Sequence, residues 1–173
     1  MDKEELDNIL VENGEDSAYL QELVDSIVED CCGSLNRYVE YISNSLRESS
    51  GVVTDSELDD IIMTIPSQVY FVSETQEKIG LKGDVADIKR KQIFNDYFLK
   101  VEGTVQQKKS AAENYVINDD LIGIVYSRAY NEVKQKVSIA LEILQSAKKV
   151  LSRRMLAMEL SRSTPNADGG FSK

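Results

Sequence analysis

The stretch IGIVYSRAYNEVKQKVSIALEILQSAKKVLSRRMLAM, residues 122–158, decides the fold. Its apolar residues recur at steps of mainly three and four, and no proline interrupts it. That spacing lines one face of an α-helix, and a stripe sustained over about forty residues exceeds an ordinary globular helix. The stretch therefore predicts one long amphipathic helix. The stripe consists of Ile122, Tyr126, Ala129, Tyr130, Val133, Val137, Ala140, Leu141, Leu144, Ala147, Leu151, Met155 and Met158.

The partner of this helix is expected immediately before it in the chain. Residues 85–116 contain no proline and one glycine, Gly103, and predict a helix about 48 Å long. The sequence Asn118-Asp119-Asp120 predicts the turn, and so short a connection makes its two helices antiparallel. The expected fold class is all-α, with a long antiparallel helical hairpin at about 85–162 and coiled-coil-like packing.

An acidic helical region is expected at the N-terminal end. Ser17 is a good cap for a helix that runs to about Arg47, with apolar residues again on one face. Cys31 falls on that face and is interpreted as a small core residue. Gly33 is expected to weaken the helix, and 48–51 to form a linker.

The middle of the chain carries several signals for helix ends. Thr54 and Glu57 have the spacing of a capping box, which starts a short helix. Pro66 is expected to interrupt it, because proline lacks the amide donor. Residues 67–79 predict another helix, and 80–84 (GLKGD) a helix-to-helix turn. The expected domains are an acidic helical region at 1–64, a helical hairpin domain at 65–162 and a flexible tail at 163–173.

Composition excludes several classes of function. The 173 residues include no His and no Trp, which removes the usual acid–base of catalysis and the commonest metal ligand. No nucleotide or nucleophile motif is present, so we expect no enzyme and no cofactor. The two cysteines are adjacent, which argues against a disulfide scaffold. No apolar run reaches about 18 residues, and MDKEELDNIL does not read as a signal peptide. We therefore expect a cytoplasmic protein that does not enter a membrane.

The net charge of −10 hides an uneven distribution. Residues 1–85 contain 20 acids and 5 bases, whereas residues 86–162 contain 14 bases and 9 acids. Such asymmetry indicates either a polyanionic partner or an acidic arm that masks a basic surface. Ordinary solvated helix faces on both halves are the alternative.

The basic residues are the candidate site. In a hairpin that turns at 118–120, position 90 faces about position 146, so residues 89–91 and 148–154 are expected to gather at the open end. A basic cluster neutralises phosphates and releases counterions. Solvated lysines, or bases that pair internally with the acidic half, are the alternative. The candidate nucleic-acid-binding residues are Lys89, Arg90, Lys91, Lys108, Lys109, Lys134, Lys136, Lys148, Lys149, Arg153 and Arg154.

Three aromatic residues follow the first basic group. Phe94, Tyr97 and Phe98 offer rings on which nucleic-acid bases stack. Their helical spacing favours the simpler interpretation that they pack in the core.

The segment of about 65–160 resembles the UvsY family of tailed-phage recombination mediators. An Ile-Pro step, a Tyr-bearing helix, a Lys-rich helix, an acidic turn and a final basic helix follow one another as in that family. The corresponding residues are Ile65-Pro66, Tyr70, Asp87 to Lys91, Tyr97, Lys108-Lys109, Val133 to Lys136, Ala140 to Leu144 and Lys148 to Met155.

This resemblance implies a small oligomeric protein that binds single-stranded DNA without catalysing a reaction. It would help displace a single-strand-binding protein and load a RecA-like recombinase, in the host cytoplasm if the chain is of phage origin. The acidic segment 1–64 has no counterpart in the family. The alternative function is a helical scaffold or adaptor that mediates protein–protein assembly without nucleic acid.

Overall fold

The computed structural model describes residues 3–49 and 51–163, and every regular element within them is a helix. The expected all-α class is confirmed. The predicted tail at 163–173 lies outside the described residues except for Ser163. The helices are α1 (Lys3–Glu48), α2 (Asp55–Lys100), α3 (Val105–Tyr115) and α4 (Ile117–Ser163).

The first helix is longer than predicted and bent. It begins at Lys3 instead of near residue 17, and Cys32 leaves helical geometry with φ −131° and ψ 16°. The weak point expected at Gly33 is therefore a kink one residue earlier, not an end. Gly51 closes the connection to α2 in the left-handed region (φ 83°), and its amide donates to the Leu46 carbonyl at 2.8 Å.

The start of α2 confirms the predicted capping box. The Glu57 amide donates to Thr54 Oγ1 at 3.2 Å, and the Thr54 amide donates to the Glu57 carboxylate at 2.7 Å. Two donors that a helix start leaves without partners are thereby satisfied. The predicted interruption at Pro66, however, is wrong, because α2 continues through it to Lys100.

Packing explains why Pro66 does not end the helix. Proline removes one backbone hydrogen bond, whereas Ile65, Val72 and Ile79 are each buried on the same helix. Helices in proteins are held mainly by such burial of an amphipathic face. Pro66 itself is exposed, so its ring meets solvent and not a neighbouring helix.

The turn predicted at 80–84 is also wrong, since these residues lie within α2. Gly80 serves close helix packing, whereas Gly83 leaves room for a methyl group. A Cβ at Gly80 would lie 3.3 Å from Tyr130 Cε2, and one at Gly83 would lie 3.6 Å from Tyr126 Cβ. The small residue at position 80 allows α4 to approach α2.

The chain reverses at 101–104, and not at 118–120 as predicted. Gly103 has φ 129°, a conformation that side chains disfavour, and it falls in the middle of the helix predicted for 85–116. Thr104 then starts α3 with a second capping box, in which the Gln107 amide donates to Thr104 Oγ1. The predicted turn residues 118–120 lie in the first turn of α4.

Three contacts fix the register of the hairpin. Arg90 Nε donates to Asp120 Oδ1 at 2.6 Å, and Arg154 donates to Asp55 at the opposite end. Between the hairpin turn and the first pair, the rings of Tyr97 and Tyr115 stack 4.1 Å apart. In each pair the residue numbers add to about 210, so α2 and α4 run antiparallel.

Helix α1 completes a three-helix bundle. Its Tyr38 bonds to Asp60 and its Ser45 to Glu57, which makes it antiparallel to α2. The predicted domain boundary at 64/65 lies inside α2, and the core draws on both sides of it. The buried core residues are Val24, Val28, Cys32, Leu35, Ile42, Leu58, Ile61, Ile65, Val72, Ile79, Val125, Ala129, Val133, Ala140, Leu144 and Ala147.

Candidate nucleic-acid interface

The register separates the basic residues that were expected to meet. Residues 89–91 face the region of Asp120, whereas 148–154 face the start of α2 at Asp55. Along α4 these two places are roughly 42 Å apart at 1.5 Å per residue. The predicted cluster of seven bases at the open end of the hairpin is therefore wrong, because the hairpin turns earlier than the sequence indicated.

A smaller basic group remains at the closed end of the hairpin. We call residues 89–109 the basic tip, since they carry six bases and two acids. Lys89, Lys91 and Lys100 are exposed on α2 and Lys108 is half-buried on α3. None of these four forms an ion pair within the part of the chain that the structure describes.

Two other bases of the tip are occupied. Arg90 is half-buried and holds Asp120 with two nitrogens, at 2.6 and 3.3 Å. This bidentate contact holds α2 against the first turn of α4, so Arg90 has a structural role. Lys109 lies 3.7 Å from Glu113, a surface pair that contributes little and that a phosphate can replace.

The aromatic rings of the tip pack on one another. Phe94 and Phe98 stack with centroids 6.1 Å apart, and Arg90 lies over the Phe94 ring at 5.9 Å. Phe94, Tyr97 and Phe98 are all half-buried, which agrees with the packing interpretation. Tyr115, which stacks on Tyr97, is 58 % exposed and is the ring most open to a base.

The bases of α4 are spread over its length. Lys134, Lys148, Lys149 and Arg153 are exposed, and the structure gives them no ion pair among its described residues. Arg154 in contrast is held by Asp55 and by the backbone carbonyl of Val53.

Lys136 is also engaged, half-buried between α4 and α1. Its Nζ lies 3.6 Å from Glu132 and 3.4 Å from the Asn36 amide oxygen. Internal neutralisation by the acidic half, one of the alternatives for the bases, thus applies to Arg154, which Asp55 holds. Among the side chains of residues 17–49 and 51–162, no acid pairs with the open lysines of the tip.

One basic residue near the tip was not among the candidates. Lys82 lies 5.8 Å from the Tyr126 ring and shares one side of α2 with Lys89 and Lys100. The steps of 7 and 11 residues between them are whole turns of an α-helix to within about 20°. That spacing is visible in the sequence once residues 80–84 are placed in the helix and not in a turn.

The cysteines offer no reactive group. Burial raises the pKa of the Cys31 thiol to about 11, and burial likewise raises the pKa of Cys32. Both are neutral thiols at pH 7 and therefore poor nucleophiles and metal ligands. Cys32 is the deeply buried core residue, whereas Cys31, the one expected there, is half-buried.

Within residues 17–49 and 51–162, no three Asp, Glu or Cys side chains are placed to hold a metal ion. No helix in those ranges combines the length and the hydropathy that crossing a bilayer requires. No family model, no curated protein and no solved structure matches this chain.

Proposed function

We propose that this chain is a non-catalytic, single-stranded DNA-binding protein of the recombination-mediator type, acting in the cytoplasm. In that role it loads a RecA-like recombinase onto DNA covered by a single-strand-binding protein. The observation that carries the proposal is the basic tip, which contains six bases and two acids although the whole chain has a net charge of −10. The resemblance to the UvsY family stays a prediction. It is the reason for proposing a role in recombination.

Charge and arrangement suit a phosphate backbone better than base recognition. The open lysines of the tip sit on flexible stems, which bind phosphates as point charges without fixed geometry. Neutralising phosphates releases counterions, so binding weakens steeply as salt rises. Lys82, Lys89 and Lys100 extend this surface along about 27 Å of α2, enough for several nucleotides.

The first prediction compares the tip with the opposite end of the rod. Lys89→Glu, Lys91→Glu and Lys100→Glu together are expected to weaken binding of labelled single-stranded DNA at least about tenfold. Removing three phosphate contacts also lowers the slope of log K against log salt by about 2. Fluorescence anisotropy over a salt series measures both quantities.

The matched control reverses as many charges elsewhere. Lys148→Glu, Lys149→Glu and Arg153→Glu change the net charge equally but lie at the open end of the hairpin. They are expected to leave the salt slope close to that of the parent chain. An equal loss of DNA affinity in both triple variants would make net charge the cause and would reject the basic tip as the binding site. Absence of binding by the parent chain at low salt would reject DNA binding altogether.

The mediator role requires a separate assay. We expect the chain to speed assembly of a RecA-like recombinase on DNA coated with single-strand-binding protein, measured by the recombinase's DNA-dependent ATPase. The tip variant is expected to lose this effect together with DNA binding. DNA binding without any acceleration of recombinase assembly would support a DNA-binding protein and contradict the mediator role.

The scaffold or adaptor is the second candidate, and a specific observation favours it. Large apolar side chains stand exposed along the outer side of α2, where neither α1 nor α4 covers them. Exposed apolar surface of that extent indicates protein contacts. A chain that assembles with protein partners but binds no DNA at low salt would support this candidate.

A further inference from the structure

A line of apolar side chains runs along the outer side of α2. Its five members are between 54 and 77 % exposed. At 100° per residue they fall within about 20° of a single line, on the side opposite the buried Ile65 and Val72. We call this line the α2 stripe, and it consists of Met63, Tyr70, Leu81, Ile88 and Leu99.

Among the residues that the structure describes, none covers the stripe. Residues 63 to 99 span about 54 Å, whereas apolar side chains on an ordinary protein surface are scattered singly. Helices α1 and α4 pack against other sides of α2, and all five side chains stay more than half exposed. Val85, 41 % exposed, widens it beside Leu81 and Ile88.

We propose that the stripe binds a second copy of this chain, antiparallel, about a two-fold axis near Leu81. Met63 and Leu99 each lie 18 residues, or five helical turns, from Leu81. An antiparallel pair centred there sets Leu81 against Leu81 and Met63 against Leu99 of the other copy. The proposal goes beyond DNA binding. Because it also uses Lys89 and Lys100 of the basic tip, self-association is measured in the absence of DNA.

Charge favours the antiparallel direction. Residues 55–78 of α2 contain six acids and one base, whereas 82–100 contain five bases and three acids. Antiparallel copies place each acidic half beside a basic half, and parallel copies would place like beside like. The sequence of one helix is thus complementary to itself in reverse.

Charged residues within and beside the stripe supply specific partners. Glu74 lies on the line between Tyr70 and Leu81, and the axis sets it near Ile88 and Lys89 of the other copy. Asp60, which also accepts from Tyr38, comes near Lys100 of the other copy. Glu74 pairs with Lys78 of its own helix at 2.7 Å, an exposed pair of little strength that exchanges readily. One flank of the stripe carries Glu77 and Asp84, which repel, so the apolar stripe has to supply most of the attraction.

The available area makes the proposed dimer interface a small one. A strip about 54 Å by 10 Å gives roughly 500 Å² per copy and about 1,000 Å² in total, the lower bound for a specific interface. Association is therefore expected at micromolar concentration. Sedimentation equilibrium of the full chain without DNA should show the mass rising from 19.4 kDa to twice that value as concentration increases.

The stripe is tested by paired substitutions on the full chain. Leu81→Glu with Ile88→Glu is expected to hold the protein monomeric at every concentration, with unchanged helical circular dichroism. Leu156→Glu, at a 57 % exposed position on α4, is the control and should dimerise like the parent chain. A parent chain that stays monomeric, or a stripe variant that dimerises normally, overturns the proposal.

Charge reversal decides the case even if the stripe variant does not fold. Lys89→Glu is expected to weaken the dimer about tenfold, and adding Glu74→Lys should restore it. Single cysteines in a Cys31→Ser, Cys32→Ala background fix the direction with a short bismaleimide. Leu81→Cys should cross-link to itself, and Met63→Cys to Leu99→Cys of a mixed partner. Cross-linking of Met63→Cys to itself would show a parallel pair and reject the assignment.

Discussion

Tyr38 illustrates how one side chain joins two helices. Its hydroxyl donates to Asp60 Oδ2 at 2.6 Å, and Asp60 Oδ1 accepts from Thr64 at 3.2 Å. Burial, followed by the bond to the Asp60 carboxylate, raises the pKa of Tyr38 to about 12. The partner of Tyr38 is set by the register between the helices, which no local sequence pattern contains.

The raised pKa has a consequence for alkaline stability. Because the folded pKa exceeds the ordinary value of 10.0, the neutral phenol stabilises the fold fully below about pH 10. That contribution is lost as the pH rises from 10 through 12. Between pH 10 and 12, the melting temperature of the Tyr38→Phe variant is expected to fall less than that of the parent chain. Loss of melting temperature identical to that of the parent chain would contradict the assignment.

At the scale of the helices, the capping-box signal was reliable, whereas the start predicted at Ser17 and the ends predicted at Pro66 and Gly80 were wrong. Both capping boxes begin helices, and Thr54 was predicted from the spacing of its own hydroxyl and Glu57. A helix can continue through either Pro66 or Gly80, at a cost of about 3 kcal/mol for the proline and about 0.5–1 kcal/mol for the glycine. Whether that cost ends the helix depends on the packing of α1 and α4, a non-local quantity. Gly103 does end one, because its φ of 129° permits the reversal.

The glycines of α2 give a prediction at this scale. Gly83→Ala is expected to stabilise the protein by about 0.5–1 kcal/mol, because alanine is the better helix former and its Cβ meets Tyr126 at an ordinary 3.6 Å. Gly80→Ala should gain less, since its Cβ would press on the Tyr130 ring at 3.3 Å. Denaturant unfolding of the two variants gives the comparison, and the reverse order would reject the packing role.

For the whole molecule, the sequence predicted the all-α class but not which basic residues lie close together. The hairpin topology followed from two long apolar stripes, whereas its register depended on where the chain turns. Moving that turn from 118–120 to 101–104 moved the partner of position 90 from about 146 to 120. One error in a turn thus divided the predicted basic cluster into a tip and a distant group, and the five candidates from Lys89 to Lys109 stay together.

The shared core predicts how the chain responds to truncation. A fragment of 65–162, the hairpin domain expected from the sequence, lacks Val28, Leu35 and Leu58, all buried against the rest of the bundle. We expect it to keep helical circular dichroism but to lose the cooperative thermal transition of the full chain. A fragment that melts cooperatively at the temperature of the full chain would show that 1–64 is a separate unit.

Pro66 weakens α2 locally even though the helix does not end there. The carbonyl of Ile62, four residues earlier, has no proline amide to accept from, so α2 lacks one backbone hydrogen bond between two well-buried stretches. Helices bend most easily at such gaps. Hydrogen–deuterium exchange should therefore divide α2 into two protected blocks that meet at this proline, and slow exchange without a minimum at 63–69 would contradict it.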